Sequence, residues 1–215
     1  MLIGMPLYNQ VNMLDVTGAY EMFRWAKFTV ELVAETPREI VCAGGLKVRV
    51  DKGFKDAGAY DVLWVPGGTA ADIAVLMNEP KRTFLDFLIA QAERPGLRYL
   101  TSVCEGSLLL AAAGLLDGYK ATTHWEFYPC MTKLFPKVKL VKGYPRFVRD
   151  RNRLTGGGVS SGLDEALELI KMLKGERLAQ QVQRDVQYYP KPPVSSKIIP
   201  ARKCTFPPIH IPPRR

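Results

Sequence analysis

Arg98-Tyr99-Leu100-Thr101-Ser102-Val103-Cys104-Glu105-Gly106-Ser107-Leu108-Leu109-Leu110 begins as a short strand and ends as the start of an apolar helix, with a single cysteine at the changeover. A strand that turns sharply into a helix lifts the side chain at the bend out of the sheet edge. It also aims the unpaired N–H groups of the new helix at that side chain. Those donors and the helix dipole favour negative charge, so a thiol at the bend is expected to ionise readily. Gly106 permits the close approach that such a bend demands. The logic is that of a nucleophile elbow with sulfur in place of the serine oxygen. A cysteine buried as a small core hydrophobe fits the same text about equally well.

Outward from this stretch, runs of strand and helix alternate. Met1–Leu7, Phe28–Ala34, Tyr60–Val65 and Leu97–Val103 read as strands, and residues 39–50 as a hairpin turning at Gly44-Gly45. Helical periodicity covers 13–23, 70–77, 107–113, 126–135, 161–173 and 176–187, and a further helix over 80–92 would place Pro80 at its first position. Residues 119–123 form a short strand or extended loop ending at His124, and 146–155 a hairpin turning at 150–152. The alternation predicts a three-layer α/β/α domain with a mainly parallel sheet over residues 1–189. Residues 190–215 read as a basic, extended arm, because eight of the sixteen prolines fall within 190–213.

The chain has 215 residues, of which 47% are hydrophobic and 24% charged, a globular balance with room for one large core. No apolar run approaches the roughly 20 residues of a membrane helix. Met1-Leu2-Ile3-Gly4-Met5-Pro6 lacks the basic and apolar regions of a secretory leader, so neither membrane nor export is expected. The net charge of +9 invites a nucleic-acid partner. Six bases and no acid lie in 186–215, however, so most of the excess sits on the arm, and no nucleic-acid role is expected of the body. Four cysteines (Cys42, Cys104, Cys130, Cys204) are widely spaced, which predicts reduced thiols in a cytoplasm. The two histidines, His124 and His210, lie at no zinc-ligand spacing from them, so no metal is expected.

In a doubly wound sheet the ligand site lies at the carboxyl ends of the strands. Asp15, Gly67-Gly68 and Cys104 all follow strands there and would share one rim. Asp15 is also placed to cap or complement a helix start. Gly67 and Gly68 can present N–H groups to charge developing on a bound intermediate, or can simply end a strand. His124 can orient the thiol or act as its base, and serves equally as a structural histidine. Glu105, next to the sulfur, would raise the thiol pKa unless protonated. Gly156-Gly157-Gly158 lacks a phosphate-loop pattern and reads as a tight turn into a helix.

Taken together, Pro66-Gly67-Gly68, Ser102-Val103-Cys104-Glu105-Gly106-Ser107 and Ala121-Thr122-Thr123-His124-Trp125 resemble the DJ-1/PfpI superfamily. Within it, Leu14-Asp15-Val16-Thr17-Gly18, Ala111-Ala112-Ala113-Gly114-Leu115-Leu116 and Leu154-Thr155-Gly156-Gly157-Gly158 are most similar to isonitrile (isocyanide) hydratases. The likeness runs from residue 1 to about Pro193. It implies a flavodoxin-like sandwich related to class I glutamine amidotransferase domains, a homodimer, a small-molecule substrate and a cysteine site with neither metal nor cofactor. By position it makes Cys104 the nucleophile and Asp15 its acid/base partner. The implied reaction is that of a hydro-lyase forming an N-substituted formamide through a covalent thioimidate. Isonitrile hydratases usually carry threonine directly after the nucleophile, where this chain has Glu105. Glyoxalase-like or amidase/peptidase chemistry, a cysteine redox sensor and a small-molecule binding module are the alternatives. Relatives that act as transcriptional regulators carry a helix-turn-helix domain after this one, and residues 190–215 are too short and proline-rich for that.

Overall fold

A computed structural model of the chain describes residues 1–213; Arg214 and Arg215, two of the bases assigned to the arm, lie outside the described residues. In chain order the elements are β1 (Leu2–Pro6), α1 (Met13–Trp25), β2 (Thr29–Ala34), β3 (Arg38–Val41), β4 (Lys47–Val50), β5 (Lys52–Gly53), β6 (Val62–Val65), α2 (Ala70–Asn78), α3 (Thr83–Ala92), β7 (Tyr99–Ser102), α4 (Gly106–Ala112), β8 (Lys120–Ala121), α5 (Tyr128–Leu134), β9 (Lys139–Leu140), β10 (Phe147–Asp150), β11 (Arg153–Gly156), α6 (Ser161–Lys174) and α7 (Glu176–Asp185). One sheet runs β10-β11-β7-β6-β1-β2-β5. All its pairings are parallel except β10 with β11. Parallel strands buried on both faces need continuous apolar runs, and Val62–Val65 is buried at every position.

Helices α1, α6 and α7 pack together, as do α2, α3 and α4, giving the three-layer α/β/α, flavodoxin-like sandwich expected from the alternation. The core runs through the sheet, with Trp64, Phe23, Ile3 and Leu100 fully buried. β1 pairs with β2 on one side and β6 on the other. The chain therefore reverses its winding direction between β1 and β6, and their carboxyl ends leave a crevice at that switch point.

Several boundaries differ from expectation for local reasons. The helix expected from Pro80 starts at Thr83, because Arg82 adopts a left-handed conformation (φ 56°) and its N–H closes a turn on the Glu79 carbonyl. The helix expected over 126–135 opens as a 3₁₀ turn at Trp125–Phe127 before α5. Strands β5 and β9, two residues each, are too short for any periodic signal. Strand β8 pairs with β9 outside the main sheet, so His124 does not leave a strand of that sheet.

One cysteine expectation is overturned: Cys130 and Cys204 form a disulfide, leaving Cys42 and Cys104 free and buried. The partners are 74 residues apart, a separation at which spacing says nothing about pairing. The pairing also removes the argument for cytoplasm from reduced thiols. Among the described residues no helix is long and apolar enough to cross a membrane.

Candidate active site

Cys104 sits in the bend between β7 and α4 with φ 57°, the left-handed region that costs a non-glycine residue about 1–2 kcal/mol. The bend is held from several sides. The Cys104 N–H donates to the carbonyls of Gly157 (2.9 Å) and Gly156 (3.2 Å). The Cys104 carbonyl accepts from the hydroxyls of Ser107 and Thr123, both at 3.1 Å. A Cβ on Gly106 would lie 2.2 Å from the Val65 carbonyl oxygen, so the end of β6 requires glycine here. Strained residues held from several sides cluster at functional sites, which makes Cys104 a candidate.

Three acidic side chains converge on this bend. The ligand atoms of Asp15, Cys104 and Glu105 all lie within 4.8 Å of one another, and all three residues are buried. Asp15 enters from the first turn of α1. Its Oδ2 accepts the Gly67 N–H at 2.9 Å, and its backbone carbonyl accepts Trp64 Nε1 at 3.0 Å. Asn12, at the N-cap position of α1, bridges the group: its Nδ2 lies 3.5 Å from Asp15 Oδ2, 3.4 Å from Glu105 Oε2 and 3.7 Å from the Cys104 sulfur. A Cβ on Gly67 would fall within 2.8 Å of all three acidic residues, so Gly67 is the floor of the site.

The electrostatics reverse the expectation of an easily ionised thiol. Burial pushes the Cys104 thiol well above its ordinary range, and the charges of Asp15 and Glu105 push it further. Only the Val159 N–H facing the sulfur opposes this. Asp15 is pushed up to about 8, chiefly by burial and next by Glu105, against the Gly67 and Asn12 hydrogen bonds. Burial raises Glu105 too. At neutral pH the thiol and Asp15 therefore keep their protons. Sulfur and two carboxylates are a conceivable cation donor set, but a cation would have to displace those protons, and no metal is assigned.

Gly67 spends its N–H on Asp15, so it is not the free oxyanion donor that the sequence allowed. A Cβ on Gly68 would meet the Tyr8 ring and the Gln10 carbonyl, and the residue bridges to Val11. His124 does not touch the sulfur through any hydrogen bond. Its ring lies over Gly158, where a Cβ would come within 2.5 Å of Cδ2, and its Nδ1 accepts the Glu126 N–H at 3.4 Å. It lines a cavity of about 390 Å³ with Leu14, Trp125, Tyr144, Val159 and Ile198. Since Val159 also faces the sulfur and Gly157 holds the Cys104 N–H, this cavity adjoins the bend.

Sequence reasoning missed Asn12, read there only as part of a polar loop; its place three residues before Asp15 was the available signal. It also missed Glu165 of α6, fully buried against Gly156 and pushed well up by burial, which sat unmarked within a helical periodicity.

The DJ-1/PfpI family profile matches residues 2–172. The chain belongs to the DJ-1/PfpI family. It is 40% identical over 195 residues to an isonitrile hydratase of Pseudomonas putida, covering 90% of this chain and 81% of that one. It is 34% identical over 172 residues to the HTH-type transcriptional regulator GbdR of Pseudomonas aeruginosa, covering 80% of this chain but 43% of the regulator. A crystal structure of a ThiJ/PfpI family protein from Pseudomonas syringae superposes with a TM-score of 0.79 at 34% identity, covering 90% of this chain and 77% of that one.

Proposed function

We propose that this DJ-1/PfpI protein is a cysteine-dependent hydratase that adds water to an isonitrile, R–N≡C, and releases the formamide R–NH–CHO. The observation that carries the reading is the buried cluster in which the Cys104 sulfur and the carboxyl groups of Asp15 and Glu105 lie within 4.8 Å of one another, with burial raising Asp15 so that it can serve as a proton donor. The 40% identity to an isonitrile hydratase supports the choice of substrate. An isonitrile offers a terminal carbon that accepts both a nucleophile and a proton, and no hydrogen-bond donor. Such a molecule suits the largely apolar cavity beside Cys104.

In the first step the Cys104 sulfur bonds to the terminal carbon as that carbon takes the Asp15 proton, and the thiol proton replaces it on the carboxyl pair. The net change is addition of S–H to one carbon, giving the thioimidate R–N=CH–S–Cys104. Water then adds to that carbon; Asp15, with Glu105 beside it, takes the water proton while the nitrogen gains one. Collapse breaks the C–S bond, returns a proton to the sulfur and frees the formamide. Asn12 holds the two carboxyl groups and the sulfur in register. His124 is a cavity wall in this scheme rather than the base. A homodimer, as the resemblance implies, is supported by the exposed apolar residues of α1.

The test is turnover of a simple alkyl isocyanide by the native chain and by Cys104→Ala, following the formamide. Formamide formed by the native chain and reduced to the uncatalysed level in the variant is expected. A folded, reduced native chain that forms none refutes the hydratase reading, and dicarbonyl and peroxide substrates then become the ones to assay.

A further inference from the structure

The arm does not trail into solvent. Cys204 is bonded to Cys130 of α5, and Phe206 stands edge-on to Phe127 with ring centroids 5.9 Å apart. Farther on, the Pro208 carbonyl accepts from Asn78 Nδ2 (3.1 Å), the His210 N–H donates to Asn78 Oδ1, and Arg82 donates to the Pro212 carbonyl. Residues 190–203, in contrast, make no hydrogen bond to the body among the described residues and carry no helix or strand. Yet Ile198, six residues before Cys204, lines the cavity beside Cys104 together with Trp125, His124 and Tyr144. It is about half exposed there, as a side chain at a rim would be.

We propose that Ile198 is a specificity-determining residue at the mouth of this cavity and that the Cys130–Cys204 disulfide holds it in place. The inference rests on the reading of that cavity as the substrate site of Cys104. The disulfide is the first fixed point of the arm after α7, and the path from it to the site is short. Phe127, the ring that Phe206 touches, is itself 5.9 Å from His124. With the bond closed, residues 190–203 are tethered at both ends, and Ile198 narrows the entrance. A dithiol reductant opens it: two electrons and two protons pass from the dithiol to the S–S bond, which breaks into the Cys130 and Cys204 thiols as the reductant becomes a disulfide. The nearest anchor of residues 190–203 then moves from the covalent bond to the Phe206 ring contact, the strap slackens over the cavity, and bulkier electrophiles reach the sulfur.

The test compares alkylation of Cys104 by small iodoacetamide and bulky N-phenylmaleimide, read as mass on the peptide that contains Cys104. It uses the full native chain before and after dithiothreitol treatment and desalting, the double variant Cys130→Ser/Cys204→Ser, and Ile198→Ala. Circular dichroism checks the fold, and the dithiothreitol comparison needs no substitution at all. The bulky reagent is expected to gain about tenfold over the small one when the disulfide is opened or Ile198 is truncated, the scale of discrimination that one apolar wall provides. An unchanged ratio of the two rates in all forms overturns the proposal. Alkylation does not depend on isonitrile turnover, so an altered ratio without hydratase activity faults only the reaction, and turnover with an unaltered ratio faults only the strap.

Discussion

At the scale of the residue, Asp15 is the proton donor of the proposed hydration. Burial and the neighbouring Glu105 carry its carboxyl to about 8, so the acid form is the one present at neutral pH. A proton donor is lost when it ionises, so activity that uses the Asp15 proton is full below about 8 and falls as pH rises through it. The alkaline limb of kcat/KM for an alkyl isocyanide should fall there, and a rate still rising past that pH would remove Asp15 from the donor role. Asp15→Asn should cut turnover by roughly 100-fold or more, the scale of general acid–base catalysis. The same change takes a negative charge from beside the sulfur at pH 9. Iodoacetamide should then label Cys104 faster, because one of the two negative charges that raise the thiol is gone. Slower labelling would mean that Asp15 does not act on the sulfur through its charge.

At the scale of the element, the β7–α4 bend is held open by the absence of one side chain. A methyl on Gly106 would run into the Val65 and Pro66 carbonyls, which belong to backbone and cannot swing aside. Gly106→Ala should therefore lower stability by about 2 kcal/mol or more, as overpacking against a rigid wall does. Gly162→Ala, where the added Cβ meets Val103 Cγ2 at 3.3 Å, should cost much less, since its nearest neighbour is a side chain. Urea midpoints of the two variants check this, and equal midpoints would mean that the bend yields without loss.

For the whole molecule, the exposed apolar face of α1 sets the expected assembly. Helix α1 leaves Met13, Leu14, Tyr20 and Trp25 each at least 36% exposed, and a shallow depression lined by Thr17, Gly18, Leu163 and Tyr188 lies beside them. A chain that pairs through this face should sediment at twice 24.1 kDa, and Thr17→Arg should return it to the single-chain mass. Native protein sedimenting at 24.1 kDa would refute the homodimer.

Periodicity and turn chemistry in the chain determined the layered α/β architecture, because an apolar run between Gly and Pro signals has few ways to be buried. They also determined that Asp15, Gly67 and Cys104 reach one rim, since each follows a strand of a parallel sheet. What they left open depends on distances between segments remote in sequence. Whether the thiol ionises was decided first by its burial and next by the two carboxyl groups beside it, against the helix terminus that the local text advertised. Whether Gly67 offers a free donor was decided by Asp15 occupying its N–H. The roles of Asn12, Glu165 and the arm were decided in the same way, for burial and the Cys130–Cys204 pairing are properties of the folded chain, and no local pattern of residues encodes which partner closes over them.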